Sequence, residues 1–521
     1  MTYIRYGFQG GARYGDAGVY YGEQVITSRA ITWGIAVDWD EDGYYSSTNE
    51  AFLYGAESGG AIQEVKLRMG REFLFNSSGD GFIHPDKGSL ELVFLDTVRR
   101  YDPYNSLSPL YGQLYKNQKI RVVVKSESSG TVYHVFTGRI SDIRPDYGTP
   151  QKATIYAEGE AVILNEKINS TVYTNVRYDA QVLEALTLAG WTGLTDIDTT
   201  NSDQMSYHWF GNSSASNEIE KIADAAFGLF WVSENGTAKY RGRINPDIST
   251  QSITEDDVDY NHRIRIPAPR DVLRNKAKVY ARARTAVTDA EVWRMTDKPL
   301  IAAGTGDAIW AEFTYNGETV PATAVTDPVV TTDYTANDSA DGSGTNRTSN
   351  FTFSTTAFST SAKLIPTNAG SAAYLTLLKL RANIITTDKY TFAEYEDATS
   401  IATYREREFV MQTDWLQDLN TANEYAQVFV SRFATPKAFP RFKFKRSSID
   451  KQFTTGLFNM ITINFPTFGV SGEFRAGYID RSWSVNEPNV IDSIYYLEPN
   501  TTSGTGSTWI FPITFPTLFP A

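Results

Sequence analysis

Residues 90–145 read LELVFLDTVRRYDPYNSLSPLYGQLYKNQKIRVVVKSESSGTVYHVFTGRISDIRP, and strands and turns alternate through them without a helix. Leu90, Leu92 and Phe94 alternate with Glu91, Val93 and Leu95, and Ile120 to Lys125 and Tyr133 to Ile143 read as further strands. Between them, Tyr101-Asp102-Pro103-Tyr104-Asn105 and Ser108-Pro109-Leu110-Tyr111-Gly112 are turn chemistry, because Pro fixes φ while Gly and Asn tolerate the left-handed region. The stretch therefore predicts a small antiparallel barrel or sandwich and not an enzyme pocket.

The order of these pieces is a strand, then Asp102-Pro103, Asn105 and Ser108-Pro109-Leu110-Tyr111, then a strand of type RVVV, then Phe136 to Ile140 as FTGRI. In that order the segment resembles the first barrel of the tail hub, or minor tail, proteins of long-tailed bacteriophages, a family similar to contractile-tail baseplate hubs. The likeness is sharp over the first third of the chain and diffuse beyond. It implies a mainly β fold with a small α+β subdomain, two related β-barrels and a β-rich inserted domain. It also implies a structural virion protein, made in the host cytoplasm, whose three copies close a hub at the distal end of the tail. Such a hub adapts a six-fold tube to a three-fold tip and surrounds the DNA exit path. The implied partners are a distal tube ring protein and a tip or fibre protein, with no cofactor and no catalysis.

A chain of 521 residues is too long for one core and implies about three to four domains. Aromatics make up 13% of it, which supplies ample material to bury. The chain has no Cys, which excludes a disulfide framework, and the absence of a charged-then-apolar leader points to folding in a reducing cytoplasm. No segment approaches the roughly 18 apolar residues of a membrane helix. A net charge of −13 disfavours a protein that clamps DNA by its phosphates. It serves solubility, and in a hub it would also line a path from which DNA is repelled.

The expected organisation is an N-terminal Gly- and Tyr-rich arm (1–28), a first hub barrel (29–165), and a small α+β domain (166–260). A second barrel is split between 261–284 and 401–497 around a β-rich insert (285–400), and a Phe-Pro arm (498–521) follows. Val182, Leu183, Leu186 and Leu188 are read as the apolar stripe of one helix, ended by Gly190, and Ile219, Ile222, Ala223 and Ala226 as that of a second, with Ser216 near its start. Asn235-Gly236 is a two-residue hairpin turn. Residues 262–298 carry ten bases against four acids, and residues 301–400 reverse the sign with eleven acids against five bases. Residues 336–350, ANDSADGSGTNRTSN, read as a polar loop tip, and 420–434 as a helix stopped by Pro436.

Three constellations are candidates for interaction. Asp38, Asp40 and Asp42, followed by Gly43, have the acid spacing of a calcium loop. Calcium takes about six to eight oxygens, yet the twelfth position is Asn49 and the flanks are strands, so a solvated acidic turn is favoured. Arg441, Lys443 and Lys445 alternate with Phe442 and Phe444, giving one aromatic and one cationic strand face. A half-buried strand with a wet face is the simpler reading, and an acidic neighbouring subunit is the partner that face would suit. Phe511, Phe515 and Phe519, each followed by Pro, make an extended apolar arm that docks either on its own assembly or on the next component.

Catalytic signatures are missing. His84, His134, His208 and His262 are far apart without an HExxH pattern, and there is neither a GxSxG elbow nor a phosphate-binding GxxxxGK[ST] loop. Beside the structural hub, two other classes stand as rivals: a tail adhesin binding host-surface carbohydrate, suggested by the aromatics, and a glycan-degrading enzyme, which the missing motifs disfavour.

Overall fold

The computed structural model describes residues 31–43, 45, 53–54, 62–72, 81–200, 203–242, 251–259, 264–267, 272–445, 447–486 and 491–499. The N-terminal arm, and the Phe-Pro arm apart from Glu498 and Pro499, lie outside them. Within these residues the chain is mainly β, with short helices set between strands.

The largest unit is a 12-stranded sheet. Its strands run in the order Gln251–Thr254, Met460–Phe465, Val470–Ser484, Ile62–Gly70, Asp86–Leu95, Lys152–Gly159, Val132–Asp146, Lys119–Ser126, Ile31–Val37, Leu53–Tyr54. Arg441–Lys443 and Ile491–Pro499 extend it beside Val470–Ser484. The two strand-rich ends of the chain are thus hydrogen-bonded to each other, through the antiparallel pairing of Ile62–Gly70 with Val470–Ser484 (Val65 opposite Trp483, Leu67 opposite Arg481). One core fills both halves, and Leu92, Val122 and Phe136 of the first half join Ile461, Ile479 and Tyr495 of the second in it.

Backbone contact explains one residue of the FTGRI strand. Gly138 lies opposite Gly159, and a Cβ on Gly138 would sit 2.1 Å from the Glu158 carbonyl oxygen. A Cβ on Gly159 would sit 1.9 Å from that of Lys87. Two glycines therefore let adjacent strands coil tightly against each other at this point.

A second core joins the helical region to a small sheet. The helix Tyr178–Leu188 buries Tyr178, Val182, Ala185 and Leu186, and Gly190 at φ 75° ends it. Leu183 and Leu188, expected on the same stripe, are instead exposed, because the buried residues follow the 178, 182, 185–186 spacing of a single face. The helix Ala215–Ala225 buries Ile219, Ile222 and Ala223, and its cap is Ser214, whose hydroxyl accepts from the Asn217 amide at 3.3 Å, not Ser216. Leu229–Val232 and Ala238–Arg241 form the expected hairpin, but its connection is the five residues 233–237 and not a two-residue Asn235-Gly236 turn: the Gly236 amide donates to the Ser233 carbonyl at 2.8 Å, and Gly236 at φ 79° is the left-handed position.

The expected boundaries need two corrections. Lys276–Ala281, assigned to the second barrel, pairs with Thr391–Glu396 and Glu408–Gln412 in a separate three-stranded sheet. The helix Leu419–Phe433 packs its Phe429 ring 3.9 Å from that of Phe409 in that sheet, so these segments complete the core of the helical region. Conversely, Gln251–Thr254, assigned to the α+β domain, pairs in parallel with Met460–Phe465 of the large sheet. Short apolar runs show that a strand exists but not which sheet receives it.

The strands between Arg284 and Thr387 close on a third core, including Phe313, Phe351, Leu364, Leu378 and Leu380. The chain enters and leaves this unit at one place, where the Asp388 amide donates to the Ala283 carbonyl at 3.0 Å. Residues 336–350, expected as a polar loop tip, are pinned. Asn337 donates to the carbonyls of Gly342 (3.1 Å) and Gly344 (2.9 Å), Arg347 grips Asp338 through two hydrogen bonds of 2.6 and 3.0 Å, and Thr348 is buried.

Candidate interaction surface

The turn-rich segment between Leu95 and Lys119 buries its acids and exposes most of its apolar side chains. Asp96, 2% exposed, accepts the amides of Arg100 (2.6 Å) and Tyr101 (3.0 Å). Asp102, fully buried, accepts from the Tyr104 amide (2.9 Å), from Nε of Arg99 (2.9 Å) and from the Tyr147 hydroxyl (3.1 Å). Burial pushes the Asp102 carboxyl up, but the Tyr104 amide, Arg99 and Tyr147 together outweigh it and hold the group below its ordinary value. Asn105 and Ser108 donate to the Arg99 and Arg100 carbonyls at 2.9 and 2.5 Å, and Gln118 ties the segment's end to the Trp39 carbonyl at 2.7 Å. Tyr101 and Leu110 point inward, the Tyr101 ring lying 4.9 Å from Phe94 and 6.3 Å from Trp39.

With its polar groups consumed internally, the same segment turns Val98, Tyr104, Leu107, Tyr111 and Tyr115 to solvent, and Tyr104 is 82% and Leu107 91% exposed. Tyr147, also exposed, lies under the Arg99 guanidinium at 5.2 Å. Single exposed apolar residues are ordinary, but several on one rigid loop mark an interaction surface. Burying each of them would contribute about 1.5–3 kcal/mol. The sequence located this loop by its turn chemistry, yet its outward residues were not among the candidates. The signal was available: Leu107 and Tyr104 stand next to turn residues, where no strand or helix period assigns them to a core.

The candidates chosen from sequence fare differently. Asp38, Asp40 and Asp42 are the one group of three metal-ligand-type side chains among the described residues, with ligand oxygens within 4.8 Å of one another. Asp38 is buried and accepts the Gly43 amide at 3.1 Å, and Asp40 accepts that of Asp42 at 3.3 Å, which is how an acidic turn holds itself closed.

The cationic face does not hold at Lys443. This residue is 5% exposed and ion-paired with Asp492, while Arg441 lies over the Tyr496 ring at 4.2 Å. The far edge of the strand is covered as well, since Arg441 and Arg265 exchange backbone hydrogen bonds of 2.7 and 2.9 Å. Lys445, half-buried, donates its amide to the Asp257 carbonyl at 2.8 Å. Alternation placed Phe442 and Phe444 in the core but could not show that Asp492 neutralises Lys443 on the opposite face. Phe511, Phe515 and Phe519 lie outside the described residues.

Two histidines are packed within the chain. His208 sits fully buried between Phe210 and Trp415, its Nδ1 2.7 Å from Gln181, and burial lowers it to about 3, so it stays neutral. His84 pairs with Asp224 at 3.2 Å. No helix among the described residues is long and apolar enough to cross a membrane.

No protein-family model and no curated protein matches the chain. Among solved structures, it is similar to a 43 kDa prophage tail protein from Shewanella oneidensis, with 11% identity, TM-score 0.47, and 90% of this chain and 98% of that one covered. A tail protein from Neisseria meningitidis gives 9% identity and TM-score 0.47, covering 91% and 98%. A prophage tail protein from Listeria monocytogenes gives 10% identity and TM-score 0.40, covering 91% and 95%.

Proposed function

We propose that the chain is a structural subunit of a phage-tail hub, working as a closed homotrimer at the distal end of the tail. The observation that carries this reading is the Asp96–Gln118 loop, a rigid platform built on the large sheet that offers Tyr104, Leu107 and Tyr111 to a partner. This is also the segment whose motif resembles the hub family. A second copy is the partner assigned to it, since closed symmetric rings bury the same patch in every subunit. A net charge of −13 suits a lumen through which DNA slides without specific binding. The tube ring and the tip or fibre protein are the expected neighbours, with the Phe-Pro arm around Phe511, Phe515 and Phe519 as a docking element toward one of them.

Sedimentation of the purified chain tests the loop. Wild type is expected to form trimers, and the triple variant Tyr104→Ser, Leu107→Ser, Tyr111→Ser to sediment as a monomer with an unchanged melting temperature. A triple variant that still forms trimers would remove the loop from the interface.

A further inference from the structure

The inserted unit carries a solvent-facing sheet surface built around an exposed tryptophan. Its central strand Ser361–Asn368 is flanked by Ile309–Glu312 on one side and Phe351–Ala357 on the other. Trp310 and Thr356 both lie opposite Lys363, and Glu312 lies opposite Ser361, so these five residues share the outward face while Ala311, Ala362 and Leu364 point into the core. Trp310 is 57% exposed, a large cost for the bulkiest apolar side chain to leave in water. Its plane is nevertheless fixed: the Phe358 ring stacks on it at 5.9 Å with 23° between planes, and Lys363 Nζ lies 5.9 Å from its centroid.

We propose that this face is a carbohydrate-binding site with the Trp310 indole as its stacking platform. A pyranose presents a patch of C–H bonds on one face and a rim of hydroxyls around it. The indole matches the first, and the Thr356 and Ser361 hydroxyls, Lys363 ammonium and Glu312 carboxylate supply donors and acceptors for the second. Charge selects against the other classes of occupant. Lys363 and Glu312 cancel, which gives a nucleic-acid backbone nothing to hold, and a ring of polar residues around one indole lacks the apolar centre of a protein interface. The proposal does not depend on the hub reading, because the insert has its own core.

The test is surface plasmon resonance of the full chain over an immobilised panel of bacterial surface polysaccharides, with the free oligosaccharides as competitors. Saturable binding to at least one polymer, competed by its own oligosaccharide, is expected. Trp310→Ala should weaken it by about tenfold or more with little change in melting temperature, since more than half of the side chain is exposed. Leu194→Ser, an exposed position in the helical region, should bind as wild type. Absence of binding across the panel, or wild-type affinity in Trp310→Ala, would overturn the proposal.

Discussion

Two residues show how the loop and the sheet are held. The Asp102 carboxyl titrates below the ordinary aspartate range in the folded chain, so it contributes stability that is present above that range and lost as pH falls through the folded pKa. Wild type should therefore melt higher than Asp102→Asn at neutral pH, with the gap closing as the solution is brought below about pH 4. A gap that stays constant down to pH 3 would mean that the carboxylate charge does not hold the loop. Gly138 acts through shape. Gly138→Ala places a Cβ against the Glu158 carbonyl and the Phe136 ring, and is expected to cost about 1–3 kcal/mol in denaturant unfolding. The sequence marked Asp102 and Gly138 as motif members. Their reasons are a buried carboxylate on which local donors and the distant Tyr147 hydroxyl converge, and a neighbouring strand so close that a Cβ on Gly138 would meet the Glu158 carbonyl at 2.1 Å; both need partners that the local sequence does not show.

At the scale of elements, the insert is the separable piece. Arg284 must stay with the body, because its guanidinium lies 4.4 Å over Trp209 and 4.8 Å over Trp415 and donates to the Asp414 carbonyl at 2.8 Å. Replacing 285–386 by a short Gly linker is thus expected to leave a body with a single cooperative melt, and to preserve oligomer size in sedimentation. An unfolded or aggregated body would show that the insert supports the rest. Deleting only Asp338 to Asn350 is predicted to destabilise the insert itself, since it removes buried Thr348, whose hydroxyl accepts from the Ala336 amide at 3.0 Å. Elements with a clear period were legible: the strands of 90–143, the two helices of the α+β region, and the helix at Leu419–Phe433. Their assignment to sheets was not, because Lys276–Ala281 alternates as the strands of the large sheet do and only long-range register decides where it pairs.

At the scale of the whole molecule, the large sheet runs from one strand-rich end of the chain to the other, and the helical core sits beside it. The Tyr104–Leu107 loop stands on that sheet, between Asp86–Leu95 and Lys119–Ser126, and exposes apolar side chains there. The hub reading makes the chain one third of a ring. The most direct measurement is the number of copies per assembled tail, obtained by quantitative mass spectrometry of purified tails against the tube protein. Three copies are predicted. One copy, or six matching the tube, would contradict the account.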